Sequence, residues 1–531
     1  MRFACDEVYH TTPTTATEVA AATTALFRGA GALARTQCLS VRTRASAPQS
    51  FTLTREEAAG GRAKNIPRHV NAQALGCGPS MPIATGLYLV ALFLITLFTD
   101  AIFGVNAQSL AYVPLTLALV VLVYRAMAGE KPDFLRAWYS AGPMIVPGLL
   151  FLAGLAAAIP HAHDVGLAAK DFLRWSFVWL IFAPVTRAIC SNAARAKLCA
   201  RAVPVFVAAF AALTVADLAF GGGVVRRLIG VAGVTGEGRY QSLYQNAGIF
   251  AGMLIVALPL ALVPALTEER LRAKLPWIVA VAIIAGGTLL SGSRAAVVAS
   301  LFAIVAVGVL LRRRWLVAAT VGVVIAGAAL ISAGELDGPP ALARFQDVLT
   351  ERGSGHYSLT RREQIWSVAA ELIERSPVIG WGGAQLRYHQ HAGFKRAHNA
   401  WLDAWLDGGL LALLAMLIVT AIVLRRAWWT ALLRPDRWTD PTHVALLASS
   451  LAVLVGWTVR AGIGGRIDWL PLFMLCSVWW DAPTGDPVRI DQHPPNTTCS
   501  TGVAPAEPTH IMQSSRPQGN WWRRCRFDRD G

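Results

Sequence analysis

Stretches of about 20 nearly uninterrupted apolar residues recur along this chain, and a segment of that length and character is what a helix needs to cross a bilayer. Lipid offers no water to satisfy backbone N–H and C=O groups, so such segments must be helical if they span. The apolar runs fall near 82–104, 107–127, 141–160, 172–190, 202–220, 246–266, 275–290, 294–311, 315–333, 408–424, 443–459 and 465–480. With 54% hydrophobic and 15% charged residues the chain is too apolar for an ordinary soluble globule. These features predict an all-α polytopic membrane protein with about 12 transmembrane helices and a large, partly helical loop between the ninth and tenth spans.

A net charge of +16 could suggest nucleic acid, but the basic residues sit mainly between apolar runs or in the tails. Arg125, Lys131 and Arg136 form one cluster, and Arg187, Arg195, Lys197 and Arg201 the next. Arg270, Arg272 and Lys274, then Arg312, Arg313 and Arg314, then Arg425, Arg426, Arg434 and Arg437 complete the set. Excess Lys and Arg mark cytoplasmic segments. The intervening short segments, such as 161–166, carry none and belong on the outer face. This alternation predicts spans one to nine over 81–333, an outer loop over 334–407 and spans ten to twelve over 408–481, with both termini cytoplasmic. In a bacterial cell that places the protein in the inner membrane with its loop in the periplasm. The loop is itself basic, and the charge rule weakens for loops beyond about 60 residues. A basic outer loop calls for an anionic partner.

Residues 1–80 are polar and without hydrophobic period, which predicts a disordered extension and makes Met81 a candidate alternative start. The 482–531 tail, with its Pro, Thr and Arg, reads the same way. The eight cysteines avoid the 334–407 loop and form no CxxC pair, so neither an exported disulfide framework nor a thiolate metal site is implied.

Within the loop, Ile365, Trp366, Ala369, Leu372 and Ile373 fall on one helical stripe. This predicts an amphipathic helix lying on the membrane surface or the bundle. Pro377 ends it, and Gly380-Trp381-Gly382-Gly383 reads as a flexible, close-approach turn. His398-Asn399 then leads into the tenth span. An imidazole there can take a proton near neutral pH, although spacing alone equally fits a helix-capping role. Arg294 follows Ser291-Gly292-Ser293 at the outer end of the eighth span. A guanidinium beside a helix N-terminus can hold phosphate, and it can equally snorkel to headgroups. Arg239 and Asn246 flank the start of the sixth span on the same side. His389, His391 and His398 could form a metal triplet, but the surrounding Arg387, Lys395 and Arg396 oppose a cation. No metal or cofactor is expected.

Four of these pieces, in order and on one face, resemble the O-antigen ligase and polymerase superfamily of bacterial membrane glycosyltransferases. The resemblance covers about 85–480. Arg239 to Asn246 is similar to a family segment that opens a membrane span, and Ser293-Arg294 to its Ser-Arg pair. Arg362, Trp366, Pro377, Gly380 and Gly382 match its R-x-x-x-W helix and P-x-x-G-x-G turn. His398, Asn399, Leu402 and Gly409 match its H-N-x-x-L motif, with Asp407 where the family has Glu.

The resemblance implies a GT-C-like fold and metal-independent, inverting transfer of a glycan from an undecaprenyl-pyrophosphate carrier to a hydroxyl at the periplasmic face. The acceptor it implies is lipid A-core or another hydroxyl, with membrane lipids as surroundings and no nucleic acid. His398, Arg294 and Arg362 would be catalytic. Arg239, Asn246, Ser293, Trp366, Asn399 and Asp407 would bind substrate, with Asp407 or Asn399 orienting the imidazole. Lys395 and Arg396 would keep His398 neutral by opposing a further positive charge. A repeat-unit polymerase and a protein O-oligosaccharyltransferase share these motifs. From other classes, a transporter would use the charged Lys170, Asp171 and Arg174 near the fourth span, and an inactive relative would have lost Arg294 or His398.

Overall fold

A computed structural model describes residues 80–96, 110–128, 144–220, 247–332, 353–388, 396–433, 440–459 and 466–480. The terminal segments 1–79 and 481–531, Arg239, Asn246, His389, His391 and Lys395 lie outside the described residues.

Among the described residues every regular element is helical. In chain order these are α1 (Ser80–Thr96), α2 (Tyr112–Met127), α3 (Ile145–Ala158), α4 (Val165–Cys190), α5 (Ala193–Ala219), α6 (Ala247–Thr267) and α7 (Leu271–Leu290). Then follow α8 (Arg294–Leu310), α9 (Arg314–Ser332), α10 (Gly353–Arg375), α11 (Ala400–Trp428), α12 (Pro441–Val459) and α13 (Arg466–Trp480). The described part of each of the twelve apolar runs falls on one of these helices, and α10 is the extra, amphipathic one. Six, namely α4, α5, α6, α7, α11 and α12, are long and apolar enough to cross a membrane. The other six are shorter apolar helices, so length and composition support a polytopic membrane protein without fixing twelve crossings.

Helix α6 is apolar on every side, and a helix of that kind belongs in the middle of a bundle. Its most apolar stretch is 83% buried, against 22% for its hairpin partner α7 on the periphery. Helix α12 packs on it, with Ser449 donating to the Val256 carbonyl at 2.8 Å. Helices α3 and α11 cross where both are small: a side chain on Gly154 would meet the Gly408 carbonyl oxygen at 2.3 Å. Small residues let two backbones approach closely and gain dispersion contact that lipid cannot supply.

The connections sort to the two ends of the bundle. The ion pair of Arg201 with Glu268 ties the α4–α5 and α6–α7 tips together at the end that carries most of the described basic clusters. At the other end lie the α3–α4 and α7–α8 connections, the segment after α10 and the start of α11. Asn399 Nδ2 donates to the Thr458 carbonyl at 3.2 Å, which brings the α11 N-terminus to the end of α12. Ala251, Ala296 and Ala452 share a small core that carries the starts of α6 and α8 to the same end.

Candidate active site

Helix α11 begins at Asn399, whose side-chain oxygen accepts from the backbone N–H of Trp401 at 3.0 Å and of Leu402 at 3.2 Å. An Asn at this position satisfies donors that the helix itself leaves unpaired. The capping geometry foreseen for His398 is therefore supplied by its neighbour. His398 stands just outside the helix in a left-handed conformation, φ 58°. For a residue with a Cβ this conformation costs about 1 kcal/mol or more, and it persists only where the surroundings impose it.

Those surroundings are visible one residue earlier. The Ala397 N–H donates to Asp403 Oδ1 at 2.7 Å, and the Ala397 carbonyl accepts from the Trp366 indole N–H at 2.8 Å. Both peptides of Ala397 are thus gripped, one by α11 and one by α10. Trp366 holds the backbone that presents His398. Trp366→Phe keeps the ring and removes the donor, and it is expected to cost about 1–2 kcal/mol and lower kcat severalfold. Thermal unfolding and initial rates check this.

The apolar stripe of α10 is buried, and it packs on the bundle through the start of α11, as one of the two expected placements had it. Ile365, Ala369, Leu372 and Ile373 form a separate small core with Leu386, Ala397 and Leu406. The segment after α10 then crosses a break in α11. Trp381 N–H donates to the Leu406 carbonyl at 2.7 Å, Gly382 N–H to the Asp407 carbonyl at 3.0 Å, and Leu410 N–H to the Val378 carbonyl at 3.0 Å. Gly408 and Gly409 leave helical geometry, which frees these carbonyls to accept. A Cβ on Gly380, φ 79°, would meet Gly409 N at 2.6 Å, and one on Gly409, φ 62°, would meet the Val378 oxygen at 2.0 Å. The glycines are there because two backbones touch, so the turn is held rather than flexible. Trp381 and Trp405 fasten it further, their indoles donating to the carbonyls of Leu372 and Pro377 at 2.7 and 2.8 Å.

Beyond Gly383 the same segment docks on the start of α4. Gln385 is fully buried and exchanges two hydrogen bonds with the Asp164 backbone, and Tyr388 donates to Asp164 Oδ2 at 2.8 Å. Asp164 caps α4 through Leu167 N–H, which together with Tyr388 holds its carboxyl below the usual range.

Arg396 is the centre of the electrostatics. Its guanidinium forks to two carboxylates, Asp407 and, at 2.8 Å, Asp171. Asp407 also accepts from the Ala384 N–H at 3.1 Å. Burial alone would lower the Arg396 pKa, but the carboxylates of Asp407 and Asp171 more than reverse this and raise it. Arg396 is thus turned to acids and is not the cation that acts on His398. The imidazole is half-buried, and its pKa is lowered first by burial, then by Arg362 and Arg361. The shift runs in the direction foreseen for His398, with Arg362 and Arg361 on α10 as the acting charges in place of Arg396.

Ser293 caps α8, its hydroxyl accepting from Ala296 N–H at 3.3 Å, and Arg294 is the first helical residue, half-buried, at the end of the bundle that carries His398. The structure therefore brings His398, Arg361, Arg362, Trp366 and Asn399 into one neighbourhood and puts Ser293 and Arg294 at the same end.

Sequence reasoning missed the Arg396 fork and the grip of Asp403. Asp171 was the available signal, an acid in an apolar run, which nearly always has a partner. It pairs with Arg396 at 2.8 Å and, within α4, with Arg174 at 3.9 Å, so one of the three charged residues a transporter would use near the fourth span serves to dock this loop.

Comparison with known proteins bears on this same region. Residues 279–417 match the family described as O-antigen ligase, 139 of the 531 residues, running from α7 through Arg294 and His398 into α11. No curated protein gives a match.

Proposed function

We infer, for a chain whose residues 279–417 match the O-antigen ligase family, that it transfers a glycan from undecaprenyl pyrophosphate to an acceptor hydroxyl at the periplasmic face, as an O-antigen ligase does. The observation that carries this reading is His398, fixed in a left-handed conformation where burial and the charges of Arg362 and Arg361 lower its pKa. A base and an anion clamp side by side are what displacement of a pyrophosphate by a hydroxyl requires.

In this mechanism the acceptor oxygen attacks the anomeric carbon as His398 takes its proton. The bond from that carbon to the pyrophosphate oxygen breaks, and the electron pair leaves with the pyrophosphate. A single displacement inverts the anomeric configuration. Negative charge grows on the leaving group, and Arg362 and Arg294 stabilise it, with Arg239 and Asn246 as further contacts. These cations supply the countercharge that a divalent metal supplies in other transferases, so the reaction is metal-independent. Pyrophosphate is a good leaving group and needs no general acid. Ser293 positions Arg294 through the helix cap, Trp366 and Asn399 position His398, and Asp407 holds the loop through Arg396.

The test is transfer from a synthetic undecaprenyl-pyrophosphate oligosaccharide in nanodiscs with EDTA, comparing wild type with Arg294→Ala and Arg362→Ala. Each variant is expected to lose about 10²–10³-fold in kcat. Full rates in both would sink the clamp. The product, a capped lipid A-core, a longer polymer or a glycosylated protein, identifies the acceptor among the superfamily's members.

The pH profile carries a separate prediction. The base must be neutral, so activity falls as pH drops through the pKa of His398. A lowered pKa puts this acid limb below that of an ordinary histidine, about 6.5. Arg361→Gln removes one of the opposing charges, so the limb should move to higher pH. An unmoved limb would mean that another group is the base.

A further inference from the structure

At the end of the bundle opposite His398, a cleft of about 130 Å³ opens between the start of α3, the second half of α4 and the end of α13. Its walls are almost wholly apolar, with Ile145, Leu149, Trp179, Leu180 and Phe473 among them. One charged side chain interrupts this lining: Arg187, on the last two turns of α4 and only 7% exposed. A second guanidinium stands close by, since both Arg187 and Arg426 act electrostatically on the Cys476 thiol in the cleft wall. Among the described residues no acidic side chain lines the cleft.

We propose that this cleft binds one anionic phospholipid, its phosphate held by Arg187 with Arg426 behind it and an acyl chain lying on the apolar walls. Charge complementarity selects the occupant. An apolar cleft with a single guanidinium in its lining fits a molecule with a hydrocarbon tail and a phosphate, and a planar fork of donors suits phosphate oxygens. The level is also right. Arg187 lies within a turn of the α4 terminus, and the tips around it carry Arg195, Arg201, Arg270 and Arg425, so this end of the bundle matches the headgroups of an anionic leaflet. Trp179 and Gly148 shape the furrow: the indole lies so close to the Gly148 backbone that a Cβ there would meet it at 2.6 Å. The site stands apart from the glycosyl-transfer reading and would regulate or stabilise the bundle from the opposite leaflet.

The experiment is titration of the detergent-purified full chain with phosphatidylglycerol or phosphatidylcholine, with bound lipid counted by native mass spectrometry. Wild type is expected to retain phosphatidylglycerol at least tenfold more tightly than phosphatidylcholine, and Arg187→Gln to abolish that preference. Ala183→Phe fills the furrow without touching the guanidinium, and it should weaken phosphatidylglycerol binding by a similar factor. If Arg187→Gln does not fold, Ala183→Phe decides alone. Equal retention of both lipids by wild type would overturn the proposal, and so would an unchanged preference in folded Arg187→Gln or unchanged phosphatidylglycerol binding in Ala183→Phe. Displacement of phosphatidylglycerol by a polyprenyl phosphate at tenfold lower concentration would assign the cleft to the carrier lipid and overturn it too.

Discussion

His398→Asn is expected to lower glycan transfer by about 10²–10⁴-fold, the usual contribution of a general base, while the protein folds and inserts as wild type does. Asparagine is the informative replacement because it tolerates the left-handed conformation, φ 58°, that His398 adopts. It preserves the turn into α11 and can hydrogen-bond, but it cannot accept the hydroxyl proton. Alanine would lose the same proton acceptor and add backbone strain, so a comparison of the two separates chemistry from folding. KM for the donor should change little in His398→Asn, since the pyrophosphate is assigned to arginines. Activity within threefold of wild type would remove His398 from the mechanism.

The second large effect is expected at Arg396. Its guanidinium is the shared counter-ion of two buried carboxylates, Asp171 at 8% and Asp407 at 4% exposure. Removing one partner of a buried ion pair leaves uncompensated charge and costs about 3–5 kcal/mol. Arg396→Ala should therefore lower the melting temperature and expose the 376–388 segment to proteases, because the same network docks that segment on α4 and α11. Transfer should fall with it, since Arg396 adjoins the gripped Ala397 peptide. Lysine should rescue only in part, because an ammonium cannot fork to two carboxylates as a guanidinium does. Arg396→Met combined with Asp171→Asn and Asp407→Asn should recover much of the stability, as the charges vanish together. Unchanged melting and proteolysis in Arg396→Ala would show that the fork does not hold the loop.

Helix positions were legible in the sequence because hydrophobic length is a local property: the described part of each apolar run, from 82–104 to 465–480, falls on a helix. The amphipathic stripe of α10 was legible for the same reason, through the spacing of Ile365, Ala369 and Leu372. Its partner was not, because Leu386, Ala397 and Leu406 reach it only once the chain has turned at Gly380. Gly380 to Gly383 read as a flexible, close-approach turn; the close approach is there, but its partner Gly409 lies about thirty residues on and was not legible. Arg396 shows the limit most clearly. Two positions from His398 in the chain, it counted as a charge acting on the imidazole, yet the fold carries it to Asp171, 225 residues away. Arg361 and Arg362, more than thirty residues upstream, act on His398 instead. Charge proximity in sequence was a poor guide wherever a turn intervened.

The most direct test of glycosyl transfer by inversion is to follow a single turnover on a nanodisc-reconstituted chain with an anomerically defined undecaprenyl-pyrophosphate oligosaccharide and a hydroxyl acceptor, in EDTA. Released undecaprenyl pyrophosphate and the configuration of the new glycosidic bond are both read, the latter by NMR. The account predicts one carrier released per bond formed and an inverted anomeric centre, with neither seen in His398→Asn. Retained configuration, or carrier release without a glycosidic product, would contradict it.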